Sequence, residues 1–145
     1  HSGIKEILDH KVLVERIPIL GICLGMQLLT NNSEEGVEKG LGYIDASTKR
    51  FSFKDKKMKV PHMGWNLVEK STLSQLTSDF EKESRFYFVH SFYVKVNNQD
   101  NSILKSIYGL EFDSAIQNKN IYGAQFHPEK SHKYGMKLLK NFSKI

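Results

Sequence analysis

The sequence of 145 residues holds one cysteine, one tryptophan and three prolines. A single cysteine excludes an internal disulfide framework and fits a reducing compartment. It also excludes multi-cysteine zinc sites, and the six histidines show no paired short spacing, so no metal and no cofactor are expected. No apolar run approaches the length of a membrane span. The opening His1-Ser2-Gly3 with alternating charge is not a basic-then-apolar targeting segment, so the expected location is cytoplasmic. Internal repeats and low-complexity linkers are also missing, and the length suits one domain with one core. The net charge of +5 is modest, and the lysines are scattered apart from Lys54-Asp55-Lys56-Lys57-Met58-Lys59. That run reads as a solvated hairpin tip rather than a nucleic-acid surface.

The organising stretch is Pro18-Ile19-Leu20-Gly21-Ile22-Cys23-Leu24-Gly25-Met26-Gln27-Leu28-Leu29. An apolar run breaks at a glycine, then come the cysteine, a second glycine and an apolar segment of helical character. A buried strand turning sharply into a helix has this form, with Cys23 in the place of the serine of a nucleophile elbow. Gly21 and Gly25 allow the turn and close packing of the elbow. At a helix N-terminus the dipole and free N–H groups would favour the thiolate, and the Leu24 N–H would face a developing oxyanion. A lone cysteine among Leu and Ile is also commonly a small core residue, so the stretch gains meaning only from the rest of the chain.

In chain order, Ser2 to His10 reads as a helix with Ser2 as N-cap and Ile4, Ile7 and Leu8 as its stripe. Lys11 to Arg16 is a connector. Ile17 to Ile22 is a strand buried on both faces, and Cys23 to Asn31 is a helix whose Leu24, Leu28 and Leu29 face the core. A glycine-punctuated loop spans Glu34 to Gly42. Arg50 to Phe53 and Lys59 to Val68 look like β segments flanking the charged turn. Pro61 and Gly64 argue against a regular central strand there. Trp65 could be core or contact surface. Leu73, Leu76 and Phe80 stand at helical spacing within Ser71 to Lys82. Arg85 to Val96 is the most β-prone stretch, interrupted by His90-Ser91. Ile103 to Ser106, Leu110 to Gln117 and Ile121 to Phe126 are further strands. Tyr134, Leu138, Leu139 and Phe142 mark a closing amphipathic helix.

Cys23 at an early elbow and His127 at the end of a late strand match a nucleophile and its base. Glu129, two residues on, could bond the His127 ring and fix its tautomer, with Pro128 stiffening the link.

Gly21-Ile22-Cys23-Leu24-Gly25-Met26-Gln27 and Gln125-Phe126-His127-Pro128-Glu129 resemble the two signatures of the class I (triad) glutamine amidotransferases. Val60-Pro61-His62-Met63-Gly64-Trp65-Asn66, Tyr87-Phe88-Val89-His90-Ser91-Phe92 and His127-Pro128-Glu129-Lys130-Ser131 narrow the likeness to the glutaminase subunits of imidazole glycerol phosphate synthase, over essentially Ser2 to Ile145. The resemblance implies an α/β fold, a flavodoxin-like mixed sheet flanked by helices. It implies hydrolysis of glutamine to glutamate and ammonia by Cys23, His127 and Glu129, with Leu24 N–H at the oxyanion. By the same analogy Gly25, Gln27, Ser91 and Phe92 line the glutamine pocket. His62, Met63, Trp65, Asn66 and Lys130 face a (β/α)₈-barrel cyclase subunit, which receives the ammonia in a heterodimer of histidine biosynthesis.

Family members carry N-terminal strands and a Pro-Gly-x-Gly oxyanion loop that this sequence does not contain. The expectation is therefore the C-terminal part of a single amidotransferase domain over 1–145, with a hydrophobic sheet edge at Ile17 to Ile22 and low activity by itself. The same residues are open to a paralogue feeding ammonia to surface-sugar amidation, a non-catalytic amidotransferase-like domain, or a Cys–His hydrolase.

Overall fold

The computed structural model describes residues 3–145, which leaves the proposed Ser2 cap outside the described residues. A short helix, α1 (Ile4–Asp9), runs directly into a π-helical turn (His10–Val14) that buries Val12. Residues assigned to a connector are therefore helical. The expected stripe is not a core face: Ile4 and Ile7 are more than 60% exposed, and only Leu8 packs against buried residues.

β1 (Ile19–Ile22) is followed at once by α2 (Leu24–Leu28). Among the described residues ten strands form two sheets: β2 (Asn32–Ser33), β3 (Ala46–Arg50), β4 (His62–Leu67), β5 (Glu69–Lys70), β6 (Arg85–His90), β7 (Phe92–Val96), β8 (Ser102–Tyr108), β9 (Leu110–Asn118) and β10 (Ile121–Ala124) complete the set. The main sheet has the order β1-β10-β9-β7-β3-β2, with β8 on β9 and β5 on β8. It is mixed: β1–β10 and β2–β3 are parallel, and the other pairs antiparallel. β1 has one partner among the described residues and forms an edge, so only Gly21 of its four residues is buried. β4 and β6 stand apart as a two-stranded ribbon.

The sheet divides the core in two. On one face Met26 and Leu29 meet Ile44, Val94 and Ile116. On the other a cluster of Phe51, Phe86, Phe88, Phe112 and Phe126 is closed by Leu138 of α3 (His132–Phe142). Phe86 and Phe126 stack at 3.9 Å, which ties the ribbon to the segment after β10. Burying each such ring contributes about 1.5–3 kcal/mol.

Three sequence expectations change. Leu24 and Leu28 are more than half exposed, and Met26 with Leu29 takes the core face. Both pairs have helical spacing; Gly123 decides between them, because its bare Cα admits the Met26 side chain. The segments flanking the charged turn do not pair: β3 is taken by β7 and β2, and β4 by β6. The lysine-rich turn is solvent-exposed, with Lys57 N–H donating to Asp55 Oδ1 at 2.9 Å. The helix suggested within Ser71 to Lys82 shrinks to one 3₁₀ turn (Gln75–Thr77). Ser74 Oγ accepts the Leu76 N–H and Ser78 Oγ donates to the Gln75 carbonyl, local bonds that compete with a helix. Leu76 and Phe80 are buried, while Leu73 is exposed.

Candidate active site

Cys23 occupies the step between β1 and α2 with φ 52° and ψ −109°. A non-glycine residue with positive φ is held there by its surroundings. Its N–H bonds the Ala124 carbonyl at 2.8 Å, continuing the parallel β1–β10 ladder one residue past the end of β1. Gly21 makes the corner feasible: a methyl group there would meet the Gly25 carbonyl carbon at 2.6 Å and Met26 N at 2.8 Å. The tight contact belongs to Gly21; Gly25 offers its backbone and has open space at its own Cα.

The sulfur sits under three groups. Gln125 Nε2 donates to Sγ at 3.7 Å, the Leu24 N–H is directed at it, and Val89 O lies 4.0 Å away. Burial pushes the Cys23 thiol above the ordinary cysteine range; the Leu24 N–H opposes this, and the Glu129 and Glu35 carboxylates add to the rise. The expectation that the helix N-terminus favours the thiolate is thus corrected. α2 has five residues, too few to build an appreciable dipole, and burial with two nearby carboxylates outweighs it.

His127 follows β10 and is pinned at both backbone ends. Its N–H bonds the Tyr87 carbonyl at 2.9 Å, and its carbonyl accepts Ser131 Oγ at 2.6 Å. Ser131 Oγ in turn accepts the Tyr87 N–H at 3.0 Å. His127 Nδ1 lies 2.7 Å from Glu129 Oε1. The two meet across a 3₁₀ turn (Pro128–Lys130) rather than along an extended strand. His127 Nε2 is buried and has no hydrogen-bond partner among the described residues.

A pocket of about 340 Å³ opens beside Cys23, lined by Leu24, Gln27, Glu35, Pro61 and the Val89–Phe92 segment. Gln27, Ser91 and Phe92 therefore belong to it, and Gly25 does not line it. Gln27 is buried, with its amide nitrogen engaged internally by Phe92 O at 3.2 Å and Gln125 Oε1 at 3.1 Å. Glu35 and the role of Gln125 escape sequence reasoning: Glu35 lies in the glycine loop and Gln125 in the bend after β10, where a polar residue gives no local sign of where it points. His90, which interrupts the most β-prone stretch, is open in the sequence to a core or a site role.

The suggested docking residues separate by the period of β4. Met63 and Trp65 are exposed at 61% and 45%, with Leu67 continuing the stripe. Asn66 is half-buried and Lys130 exposed. His62 is 3% exposed, stacked on Tyr108 at 4.1 Å, and is withdrawn as a surface contact: alternate residues of a strand face opposite sides.

Elbow, pocket and carboxylate-paired histidine at the ends of adjacent parallel strands define an α/β enzyme architecture suited to acyl transfer from cysteine. The family model for class I glutamine amidotransferases matches residues 2–145, and the chain belongs to that family. Imidazole glycerol phosphate synthase subunit HisH 2 of Methanococcus maripaludis is 54% identical over 142 residues, covering 98% of this chain and 70% of the relative. Subunit HisH of Bdellovibrio bacteriovorus is 49% identical over 146 residues, covering 99% and 72%. A crystal structure of a glutamine amidotransferase from Thermotoga maritima superposes with a TM-score of 0.60 at 22% identity, over 97% of this chain and 53% of that one. Another glutamine amidotransferase structure gives 0.66 at 14% identity over 97% and 69%. These two likenesses concern the fold. No helix among the described residues is long and apolar enough to cross a membrane.

Proposed function

We propose that the protein is the glutaminase subunit of an imidazole glycerol phosphate synthase, hydrolysing glutamine and delivering ammonia to a cyclase subunit. The observation that supports the chemistry is that His127 follows β10, the strand paired in parallel with β1, whose end carries the Cys23 elbow. Nδ1 is committed to Glu129 at 2.7 Å, while Nε2 is buried and unpartnered. Glu129 holds the proton on Nδ1, which leaves Nε2 as the basic nitrogen.

Cys23 Sγ attacks the side-chain amide carbon of glutamine as its proton passes to His127 Nε2. The carbonyl oxygen becomes an oxyanion, and the Leu24 N–H is placed to donate to it, a contribution of about 3–4 kcal/mol. The C–N bond breaks as His127 returns the proton to the departing ammonia. Water activated by His127 then cleaves the thioester, releasing glutamate and restoring the thiol. Glu35, the carboxylate in the pocket lining, suits the α-ammonium of glutamine. Met63, Trp65 and Leu67 form an exposed apolar stripe, and with Lys130 they offer the barrel-shaped cyclase subunit a contact surface.

The test is glutamate release by the protein with its cyclase subunit and that subunit's nucleotide ligand. Cys23→Ala should lower turnover at least ~10⁴-fold. Release that survives the substitution would overturn the mechanism, and no release from the parent complex would favour a non-catalytic domain.

A further inference from the structure

We propose that a buried chain of hydrogen bonds, running from Asn66 on the ribbon through His62, His90, the Phe92 carbonyl and Gln27, orients Gln125 so that an N–H faces the Cys23 sulfur. The inference rests on Cys23 being the nucleophile and adds positioning residues to that site.

Every proton in the chain can be assigned from geometry. Phe92 O only accepts, so His90 Nδ1, 2.6 Å away, carries the hydrogen and donates. Burial drives both histidines far below the usual imidazole range, His62 to about 4 and His90 to about 3, so each ring is neutral and has one bare nitrogen. His90 Nε2 is therefore bare and accepts from His62 Nδ1 at 2.9 Å. His62 Nε2 is bare in turn and accepts from Asn66 Nδ2 at 3.3 Å. The Asn66 amide cannot be reversed, because Nδ2 also donates to Ile107 O at 2.9 Å and Oδ1 accepts the Leu67 N–H at 2.9 Å.

From the other side Gln27 Nε2 donates to the same Phe92 carbonyl at 3.2 Å and to Gln125 Oε1 at 3.1 Å. With both hydrogens spent, Gln27 presents a donor to Gln125 and requires an acceptor there. Gln125 is fully buried, and its oxygen is turned to Gln27, so its nitrogen is the atom 3.7 Å from Cys23 Sγ. An amide reversed by 180° would set a carbonyl oxygen against the sulfur and oppose the thiolate. The N–H favours it. The charged groups that face Cys23 are Glu129 beyond β10 and Glu35 beyond β2, both acting against the thiolate. The Gln125 N–H and the Leu24 N–H are the opposing donors. Buried polar chains of this kind keep one orientation because any reversed member strands its neighbours.

Cys23 is the only cysteine, so iodoacetamide labelling reads its ionisation without glutamine turnover. The labelling rate is followed against pH in the complex with the cyclase subunit. Gln125→Leu should move the midpoint up by about half a pH unit or more. His90→Phe, which keeps the ring but loses the donor, should move it the same way, and His90→Asn, which keeps a donor near Nδ1, should restore most of it. A packing role predicts the reverse order, with Phe tolerated and Asn not, and that order or an unmoved Gln125→Leu midpoint overturns the proposal. Ring ¹⁵N shifts of the parent protein check the chain where a variant does not fold: both His62 and His90 should be Nδ1–H tautomers, and an Nε2–H tautomer on either refutes it. A parent that labels as expected but releases no glutamate would sink the glutaminase reading and leave the chain standing.

Discussion

Replacing Gly135, in the first turn of α3, with alanine sets two effects of opposite sign against each other. Helix propensity alone favours Gly135→Ala by about 1 kcal/mol. Packing opposes it. A methyl group on Gly135 would stand 1.7 Å from the Pro128 carbonyl oxygen and 2.6 Å from its carbonyl carbon. Both are backbone atoms of the turn that carries His127 and Glu129, so no side-chain rotation relieves the overlap. The turn must retreat by roughly 1.5 Å to regain van der Waals contact. It is not free to do so, because Ser131 Oγ and the Tyr87 carbonyl hold His127 at 2.6 and 2.9 Å. Overpacking costs about 1–3 kcal/mol, and a 1.7 Å approach to backbone falls in the upper part of that range, about 2–3 kcal/mol, which outweighs the propensity gain. The net loss of about 1–2 kcal/mol corresponds to a melting temperature lower by roughly 3–8 °C.

The catalytic loss should exceed the thermodynamic one. A displacement of about 1 Å in a positioned group can lower turnover about 10²-fold, and here it falls on the His127–Glu129 pair. Thermal unfolding by circular dichroism and glutamate release with the cyclase subunit give the two readouts. An alanine variant as stable as the parent, with unchanged release, would refute the reasoning. Gly25→Ala provides the comparison: nothing lies within 4 Å of the added methyl. Propensity then acts alone, and stability should rise by up to about 1 kcal/mol.

Glu129→Gln should lower turnover by about 10²–10⁴-fold by releasing the His127 tautomer; its side chain is 54% exposed, so the melting temperature should scarcely move. Trp65→Ala should weaken association with the cyclase subunit by about 30-fold in calorimetric titration, while the fold is kept, because Trp65 is 45% exposed and packs only edgewise on Tyr87 and flat on His132. Acid should destabilise the protein before its carboxylates titrate. His62 and His90 stay neutral in the fold down to about pH 4 and 3 but protonate near 6.5 when unfolded. The unfolded chain thus binds up to two more protons, and the unfolding constant measured in urea should rise by up to ~100-fold per pH unit between about pH 6 and 4. A flat profile across that window would count against the buried pair.

The elbow was legible because its chemistry is local: a strand, two glycines, a cysteine and a helix follow one another within twelve residues. The late strands and α3 were legible for the same reason, since alternation and i, i+4 spacing are properties of a single segment. The failures all needed a neighbour. Leu24–Leu28 and Met26–Leu29 are equally good helical stripes until Gly123 admits Met26. The lysine turn looks like a hairpin tip until both edges of β3 are occupied by other strands. Val60 to Asn66 was read as one surface, whereas strand alternation turns His62 inward and Met63 and Trp65 outward. Glu35 carries no signature, and Gln125, although it opens the second signature, has a role that comes from what lies across from it.

The elbow also shows why its geometry cannot by itself supply the nucleophile. Positive φ at Cys23 and the Gly21 contact aim the sulfur, and the Leu24 N–H is directed at it. Yet burial, Glu129 and Glu35 all keep the proton on sulfur. A thiol held in that state needs a base at the moment of attack. Under the proposed mechanism that base is His127 Nε2, which is buried and has no partner among the described residues. Glu129 raises the thiol through space and fixes the His127 ring through a 2.7 Å hydrogen bond. In the proposed mechanism the α-ammonium of glutamine beside Glu35 would offset one of the two carboxylates that hold the proton on Cys23.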